Sequence, residues 1–194
     1  MKMGNLEKLF VNSPGHSRQV SQHVERLLKL VDFNVGQKYL DVGCGNGAAA
    51  IHLAQKYYLD VTGVDVDPDQ IRLANEQSQG LDKAHFLTQD TTQLPFADDE
   101  FDIVFTNKVT HHIPDWKEAV TEMIRVLKPK GHLIYADLIY PGWLATIGQA
   151  VAGSHFGFPT NSALNSIFEQ QGLAKIHLAK SPVNYEAVLR KRAD

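Results

Sequence analysis

Residues 39–47 read Tyr-Leu-Asp-Val-Gly-Cys-Gly-Asn-Gly and are the stretch that decides the fold. A largely apolar run ends in Gly43, Gly45 and Gly47, and the alanine-rich residues 48–54 that follow have a helical composition. A strand, a glycine turn and a helix in this order bring the backbone close to a nucleotide-like ligand in an open α/β sheet. The new helix also offers its unpaired N–H groups to that ligand. The stretch therefore predicts a ligand-binding loop around which the rest of the chain is organised.

The composition is that of an ordinary globular protein, with 43% hydrophobic and 21% charged residues, and it predicts a single domain spanning residues 1–194. A net charge of −3 gives no electrostatic reason to expect a nucleic-acid partner. The single cysteine, Cys44, excludes an intramolecular disulfide and a multi-cysteine metal site. No apolar run reaches transmembrane length and no signal-type apolar core follows the N-terminus, so we expect a cytoplasmic protein without a membrane span.

Strands and helices alternate along most of the chain. Strands are predicted at residues 38–42, 60–65, 84–88, 101–106 and 132–138, and helices at 13–32, 46–58, 67–79 and 115–127, with a turn at 128–131. After residue 139 the pattern loosens into helices at 143–151 and 162–171 and a pair of strands at 174–179 and 185–190. The alternation predicts a Rossmann-like α/β fold: a doubly wound, mostly parallel sheet with helices on both faces and a C-terminal antiparallel hairpin.

Three parts of the domain are distinguished by this pattern: an N-terminal helical lid at 1–36, a cofactor-binding core at 37–138, and acceptor-side helices with the closing hairpin at 139–194. Ser13 before Pro14 suits the start of the first helix, whose apolar residues recur at helical spacing. This helix either packs on the sheet or covers the ligand, with His16 and Arg18 near the mouth of the site.

Two acidic residues lie at the ends of predicted strands. Asp65 ends the second strand about twenty residues after the glycine loop, where such folds place an acid on ribose hydroxyls; the alternative is a helix cap or loop carboxylate. Asp90 follows the third strand and either accepts a hydrogen bond from an adenine amino group or is an exposed loop acid. The glycine spacing G-x-G-x-G differs from the dinucleotide fingerprint G-x-G-x-x-G.

Seven short motifs follow one another at suitable spacing between residues 39 and 138. They are Leu40-Asp41-Val42-Gly43-Cys44-Gly45-Asn46-Gly47, Gly63-Val64-Asp65, Gln89-Asp90, Leu94-Pro95-Phe96, Phe101-Asp102-Ile103-Val104, His111-His112-Ile113-Pro114-Asp115 and Arg125-Val126-Leu127-Lys128-Pro129. The series resembles the class I S-adenosylmethionine-dependent methyltransferases, and looks most like the small-molecule type related to ubiquinone and menaquinone biosynthesis. This resemblance implies S-adenosyl-L-methionine as the cofactor and a small-molecule methyl acceptor. Lys130 departs from the pattern, because the family commonly has a second glycine before Gly131.

The resemblance also assigns residues to the methionine end of the cofactor. Gly43, Gly45 and Gly47 would line the methionine part, and Asp41 would help to hold its amino group. Asn107, just past the fourth strand, would contribute backbone to the same amine and open onto the methyl acceptor.

At the nucleoside end, the resemblance implies that Asp65 binds both ribose hydroxyls and that Val66 lies against the adenine face. Asp90 would accept from the adenine amine, and Thr91 would sit at the edge of the ring.

Methyl transfer from a sulfonium is an in-line displacement, so the protein chiefly aligns the reactants and needs a general base only if the acceptor must lose a proton. His111 and His112 are the candidate bases because imidazole titrates near neutral pH; otherwise they shape the pocket. Together with Asp115 they have the ligand types of a metal site but no converging spacing, so we predict no metal. Cys44 is expected to pack beside the cofactor, with a nucleophilic role as the alternative.

A set of apolar residues follows the fifth strand: Trp143, Leu144, Ile147, Val151, Phe156 and Phe158. They either cover an apolar or aromatic acceptor, pack in the core, or form a dimer face, so both a monomer and a homodimer remain open. Two rival functions also remain: an NAD(P)-dependent oxidoreductase, which shares the fold, and a cofactor-binding protein without turnover.

Overall fold

The computed structural model describes residues 12–193, and its strands form one sheet. They are β1 Lys38–Val42, β2 Asp60–Asp65, β3 Ala84–Thr88, β4 Phe101–Asn107, β5 Leu127–Leu138, β6 Leu173–Lys180 and β7 Asn184–Lys191. The order across the sheet is β3-β2-β1-β4-β5-β7-β6; the first five strands in this order are parallel, and β7 runs antiparallel to both β5 and β6. The predicted fold, including its closing hairpin, is confirmed.

The helices in residues 12–193 cover both faces of the sheet. They are α1 Pro14–Leu28, α2 Ala48–Tyr57, α3 Pro68–Gln77, α4 Trp116–Arg125, α5 Gly142–Ala152 and α6 Asn161–Gln170, with a 3₁₀ helix at Thr110–His112. Successive residues of a strand point to opposite faces, and β1 shows the consequence: Leu40 packs with α4 and α6, whereas Tyr39 packs with α1, α2 and α3. None of these helices combines the length and the apolar character needed to cross a membrane.

Most predicted boundaries lie within two residues of the observed ones, and two places differ by more. Helix α1 ends at Leu28 rather than at residue 32, because a turn, not a further helical turn, brings Val31 into the core. Helix α4 ends at Arg125, and residues 128–131 lie within β5 instead of forming a turn before it. The register explains the second error: Phe101 pairs with Leu127 but Ile103 pairs with His132, so β5 bulges against β4 over the predicted turn.

The strand order places the candidate site. The sheet winds one way from β1 to β2 and β3, and the other way from β1 to β4 and β5, so a crevice opens beyond the carboxyl ends of β1 and β4. Open α/β sheets bind their ligands in such crevices. The glycine loop, residues 43–47, follows β1 directly into it.

Candidate functional site

A cavity of about 420 Å³ lies in this crevice. Its walls come from the glycine loop, the ends of β2, β4 and β5, the first turns of α1, and the 3₁₀ helix. The predicted site residues that line it are Asp41, Gly43, Cys44, Gly45, Asp65, Val66, Asp90, Thr91, Asn107, His111 and His112. His16 of α1 also lines the cavity, whereas Arg18 does not. One of the ten predicted cofactor-binding residues, Gly47, is not part of the lining.

Glycine is required at both ends of the loop, but for different reasons. Gly43 has φ +75°, and a Cβ there would lie 2.2 Å from Val109, so this close approach joins the loop to the chain after β4. Gly47 has φ +77°, and a Cβ there would lie 2.8 Å from the ring of Phe86 and 2.9 Å from Ala74. Gly47 therefore lets the start of α2 pack closely on β3 and α3, and its assignment to the cofactor stays a prediction.

Asp65 is held by the glycine loop. One carboxylate oxygen accepts a hydrogen bond of 2.9 Å from the Gly45 N–H, and the other accepts one of 2.9 Å from the Asp67 N–H. The cap of α3 is Asp67, whose side chain accepts from the Asp69 N–H, so the helix-cap alternative for Asp65 does not apply. Burial raises the pKa of Asp65, and the amide hydrogen bonds act in the opposite direction.

Asp41 is a buried carboxylate in the cavity wall. Asp41 is 3% exposed, and within residues 12–193 its carboxylate accepts no hydrogen bond. Burial, followed by the nearby charge of Asp65, raises the pKa of Asp41 to about 7. A buried acid without a partner is costly, and a cationic group of a ligand is the kind of partner that would stabilise it.

The nucleoside-end residues lie at the outer part of the cavity. Asp90 is exposed, and one of its oxygens accepts from both the N–H and the hydroxyl of Thr92, at 2.9 and 2.8 Å, which fixes the carboxylate at the start of the loop. Val66 is 47% exposed and Thr91 is buried, and both line the cavity wall. An exposed valine face next to a fixed carboxylate suits a flat ring that carries an amino group.

The Cys44 side chain is buried, and its S–H donates to the Gly45 carbonyl at 3.7 Å. Burial, with the charges of Asp41 and Asp65, raises the pKa of the Cys44 thiol well above its usual range. A thiolate is the nucleophilic form of cysteine, so this environment favours packing over nucleophilic chemistry.

His111 is oriented by a buried acid at the end of β5. Its Nδ1 lies 2.5 Å from Oδ1 of Asp137, which also accepts from the Leu138 N–H at 2.7 Å. The second oxygen, Oδ2, accepts from the N–H and the hydroxyl of Thr110, both at 2.6 Å, and from the Val109 N–H at 3.1 Å. Four other donors converge on this carboxylate, and an ionised carboxylate only accepts. We therefore assign the Nδ1 proton to His111, which leaves a lone pair on Nε2.

His112 lies beside this pair: its ring centroid is 3.9 Å from that of His111, and it also lines the cavity. Asp115, the third member of the metal alternative, is exposed and outside the lining. Within residues 12–193 no group of three or more His, Cys, Asp and Glu side chains is placed to hold a metal ion.

Among the residues that were not predicted from the sequence, two charged ones bear on the chemistry of the cavity. Asp137 orients His111, and Lys108 lines the cavity between Asn107 and Val109. The available signal for Asp137 was its place at the carboxyl end of the fifth strand, the same edge that supplies Asp65 and Asp90.

The apolar set after β5 does not reach the cavity, since the last lining residue along the chain is Leu138. In α5 only Ala145 is buried, while Trp143 is 69% and Val151 82% exposed, so packing in the core does not explain this helix. Phe158 does pack, against the ring of Tyr140 at 5.1 Å and closely on Gly148.

The residues present fit S-adenosylmethionine. The partnerless carboxylate of Asp41 suits an ammonium group, and Asp65 retains lone pairs for a diol after accepting one amide on each oxygen. The cavity places these two acids next to each other, and the charge of Asp65 acts on Asp41. An adenine-containing ligand with an amino-acid end therefore matches the charges of the site.

Comparison with known proteins identifies the domain. Residues 40–135 match the family described as "Methyltransferase domain". The methyltransferase GfsG of Streptomyces halstedii is 38% identical over 146 residues, covering 74% of this chain and 51% of that protein. The demethylmenaquinone methyltransferase of Staphylococcus haemolyticus is 28% identical over 180 residues, covering 79% of this chain and 75% of that protein.

Among solved structures, a geranyl diphosphate methyltransferase in complex with SAM superposes with a TM-score of 0.75 at 14% identity, covering 94% of this chain and 92% of that one, which shows the shared fold. The chain spans about half the length of the first curated relatives it matches. These relatives are methyltransferases, so the oxidoreductase alternative is set aside. The motif series, the fold and the matched region agree: residues 40–135 form a domain of the methyltransferase family.

Proposed function

We propose that this protein is an enzyme that transfers a methyl group from S-adenosylmethionine to a small-molecule acceptor. The observation that carries the proposal is a row of three carboxylates along one cavity: Asp41, Asp65 and Asp90 at the ends of the adjacent strands β1, β2 and β3. In this order they suit the three polar parts of the cofactor: its amino group, its ribose hydroxyls and its adenine amine. A single acid would be ambiguous, but the ordered row is specific for such a ligand.

When bound, the cofactor supplies a methyl group already activated by a sulfonium. The protein then has to hold the acceptor in line and exclude water. His16, Ser17 and Val20 bring α1 over the cavity, which limits the access of water from that side. Phe105 and Val109 line the same cavity and favour an acceptor with an apolar or aromatic body.

His111 is proposed as the general base, with Asp137 as the residue that positions it. Its Nδ1–H bond to Asp137 fixes the tautomer whose Nε2 can accept a proton, and the ring lines the cavity. A base is useful only if the acceptor loses a proton, so a hydroxyl acceptor is favoured over one that is already nucleophilic. His112 is assigned to shaping the pocket beside it.

Isothermal calorimetry with S-adenosylmethionine and S-adenosylhomocysteine tests the cofactor part of the proposal. We expect both to bind, and Asp65→Ala to weaken binding by about tenfold or more because hydrogen bonds to a charged group are lost. Asp69→Ala is the matched control, since Asp69 lies on the neighbouring helix α3 and outside the cavity. Absence of binding at millimolar cofactor would overturn the proposal.

Turnover is a separate question, because a cofactor-binding protein would pass the calorimetric test. Incubation with methyl-labelled cofactor and a panel of phenols and other small hydroxyl compounds, followed by mass spectrometry, tests it. A product in which one hydrogen is replaced by the labelled methyl group supports the enzyme; cofactor binding without any methylated product would favour the binding protein. We expect the enzyme to act in the cytoplasm, as a monomer or as a homodimer.

A further inference from the structure

Lys108 has an unusual backbone conformation at the mouth of the cavity. Its φ is +57°, in the left-handed region that residues with side chains rarely adopt. Its N–H donates to the Ala136 carbonyl at 2.8 Å, which holds this conformation in place at the end of β4. The described non-glycine residues with positive φ are Tyr58, Asp99, Lys108 and Lys130, and among these four Lys108 alone lines the cavity. Strained backbone at a cavity wall is a recurrent feature of ligand-binding positions.

The side chain of Lys108 is an exposed cation, and within residues 12–193 it forms none of the ion pairs. Two acids on the strands β5 and β7 are engaged with other residues: Asp137 accepts from His111 and its neighbours, and Glu186 pairs with Arg26. The positive charge is therefore available to a ligand.

Lys108 faces α1 across the mouth. After the effect of burial, its charge contributes to lowering the pKa of both His16 and His23, which are on that helix. His16 lines the cavity from the α1 side, and Lys108 from the β4 side. An anion between these two elements would be attracted by Lys108 and would offset its repulsion of the imidazoles.

The charges in the cavity are thus unevenly distributed. Asp41 and Asp65 lie side by side on one part of the wall, and Lys108 adjoins Asn107 on another. A ligand with an ammonium and a carboxylate on the same carbon needs an anionic and a cationic side chain in the same cavity, and this cavity has both. The amino-acid end of the proposed cofactor has these two groups.

We propose that Lys108 is the carboxylate-binding residue of the cavity and that, given the proposed function, the carboxylate is that of the methionine part of the cofactor. Asp41 holds the ammonium group and Lys108 the carboxylate, so the two residues together recognise the amino-acid end. His16 lies beside the carboxylate from α1 and continues the subsite across the mouth.

The test compares two ligands that share the nucleoside and the thioether. S-Adenosylhomocysteine has the amino-acid end, whereas 5′-methylthioadenosine lacks it. Calorimetry should show that Lys108→Met weakens the binding of S-adenosylhomocysteine by roughly ten- to a hundredfold, the range for a lost charge-assisted hydrogen bond. The affinity for 5′-methylthioadenosine should stay unchanged. Lys108→Arg should restore most of the affinity, and Lys117→Met, an exposed lysine of α4 outside the cavity, should change neither ligand.

The outcomes separate the explanations. Equal losses for both ligands would overturn the proposal and indicate a structural role, and Lys108→Gly, which tolerates the positive φ, tests this without strain. Unchanged affinity for S-adenosylhomocysteine in both variants would also overturn it and would assign the anion to the methyl acceptor instead. If the wild-type protein bound 5′-methylthioadenosine and S-adenosylhomocysteine equally, the cofactor assignment would stand and the carboxylate subsite would fall. Failure of the wild type to bind either ligand would overturn the proposed function itself.

Discussion

Asp41→Asn should stabilise the ligand-free protein and weaken its binding of the cofactor. The substitution keeps the size of the side chain but removes a buried acid. Within residues 12–193 the carboxylate of Asp41 accepts no hydrogen bond. In the native state burial raises the pKa of Asp41 from 3.8 to about 7. At about 1.4 kcal/mol for each pH unit, the difference corresponds to about 4 kcal/mol.

The sign follows from which state binds the proton. Between about pH 4 and pH 7 the native state retains the Asp41 proton and the unfolded state has lost it, so wild-type stability from this group is present at low pH and falls as the pH rises. Asparagine does not titrate. The free energy of unfolding of Asp41→Asn minus that of the wild type should therefore increase by about 2 kcal/mol from pH 5 to pH 7, and level off above about pH 8.

Urea denaturation of both proteins at several pH values measures this difference. The histidines affect the free energy of unfolding of both proteins similarly, so their contribution cancels in the difference. Calorimetry with S-adenosylhomocysteine supplies the second half of the test: wild-type affinity should rise through pH 7 as Asp41 ionises, while the variant should bind more weakly and with less pH dependence. A stability difference that is constant from pH 5 to pH 8 would refute the reasoning, because it would show that ionised Asp41 does not destabilise the native state.

Three further predictions concern other parts of the site and its frame. His111→Ala should lower kcat for a hydroxyl acceptor by about 10²–10⁴-fold with little change in calorimetric cofactor affinity, whereas His112→Ala should lower it much less; equal losses would argue against a specific base. Gly47→Ala should destabilise the protein by about 2 kcal/mol or more, read as a lower melting temperature, because the new Cβ would lie 2.8 Å from Phe86 at φ +77°. Lys130→Gly should raise the free energy of unfolding by about 0.5–1 kcal/mol, because Lys130 has φ +66°; a loss of stability would show that its side chain matters more than its backbone.

The parts of the site that are local in sequence were predictable. The glycine loop and Asp65 could be predicted because turns and strand ends depend on residues that are neighbours in the sequence. Their interaction, Gly45 N–H to Asp65, spans only one strand–helix–strand unit, the unit whose pattern gave the prediction. The same holds for Asp90 at the end of the next strand.

Contacts between distant segments were not predictable in this way. Asp137 meets His111 because β4 and β5 are paired in a particular register, and that register includes a bulge between residues 101 and 103 that the sequence does not reveal. Gly47 carries the same signal as Gly43 in the sequence. Only the position of Phe86 on β3 shows that one glycine accommodates a packed ring and the other borders the cavity.

At Lys130 a departure in the sequence coincides with an unusual backbone conformation in the structure. The resemblance marked it as a departure, a lysine where the family commonly has glycine, and the structure gives that position a left-handed backbone. The family preference thus has a physical reason, since glycine adopts this conformation without strain. The departure lies at the amino-terminal end of β5, away from the cavity, so its cost falls on stability and not on the site.

The two halves of helix α1 have different surroundings, and its role as a lid stays a prediction. The carboxyl-terminal half of α1 is anchored by packing and by hydrogen bonds. Val24, Leu27 and Leu28 are buried in the core, and Glu25 accepts hydrogen bonds from Lys56 at 2.5 Å and His52 at 2.7 Å, both of α2. The hydrogen bonds from Lys56, His52 and Tyr57 lower the pKa of Glu25 to about 2.

Its first half does something different. His16, Ser17 and Val20 line the cavity, and Val20 also packs against the core. The helix therefore packs on the sheet with its carboxyl-terminal turns and lines the cavity with its amino-terminal turns. Because the anchor lies on the same rigid element, the covering residues are placed by packing, and the position of His16 opposite Lys108 follows from contacts made several turns away.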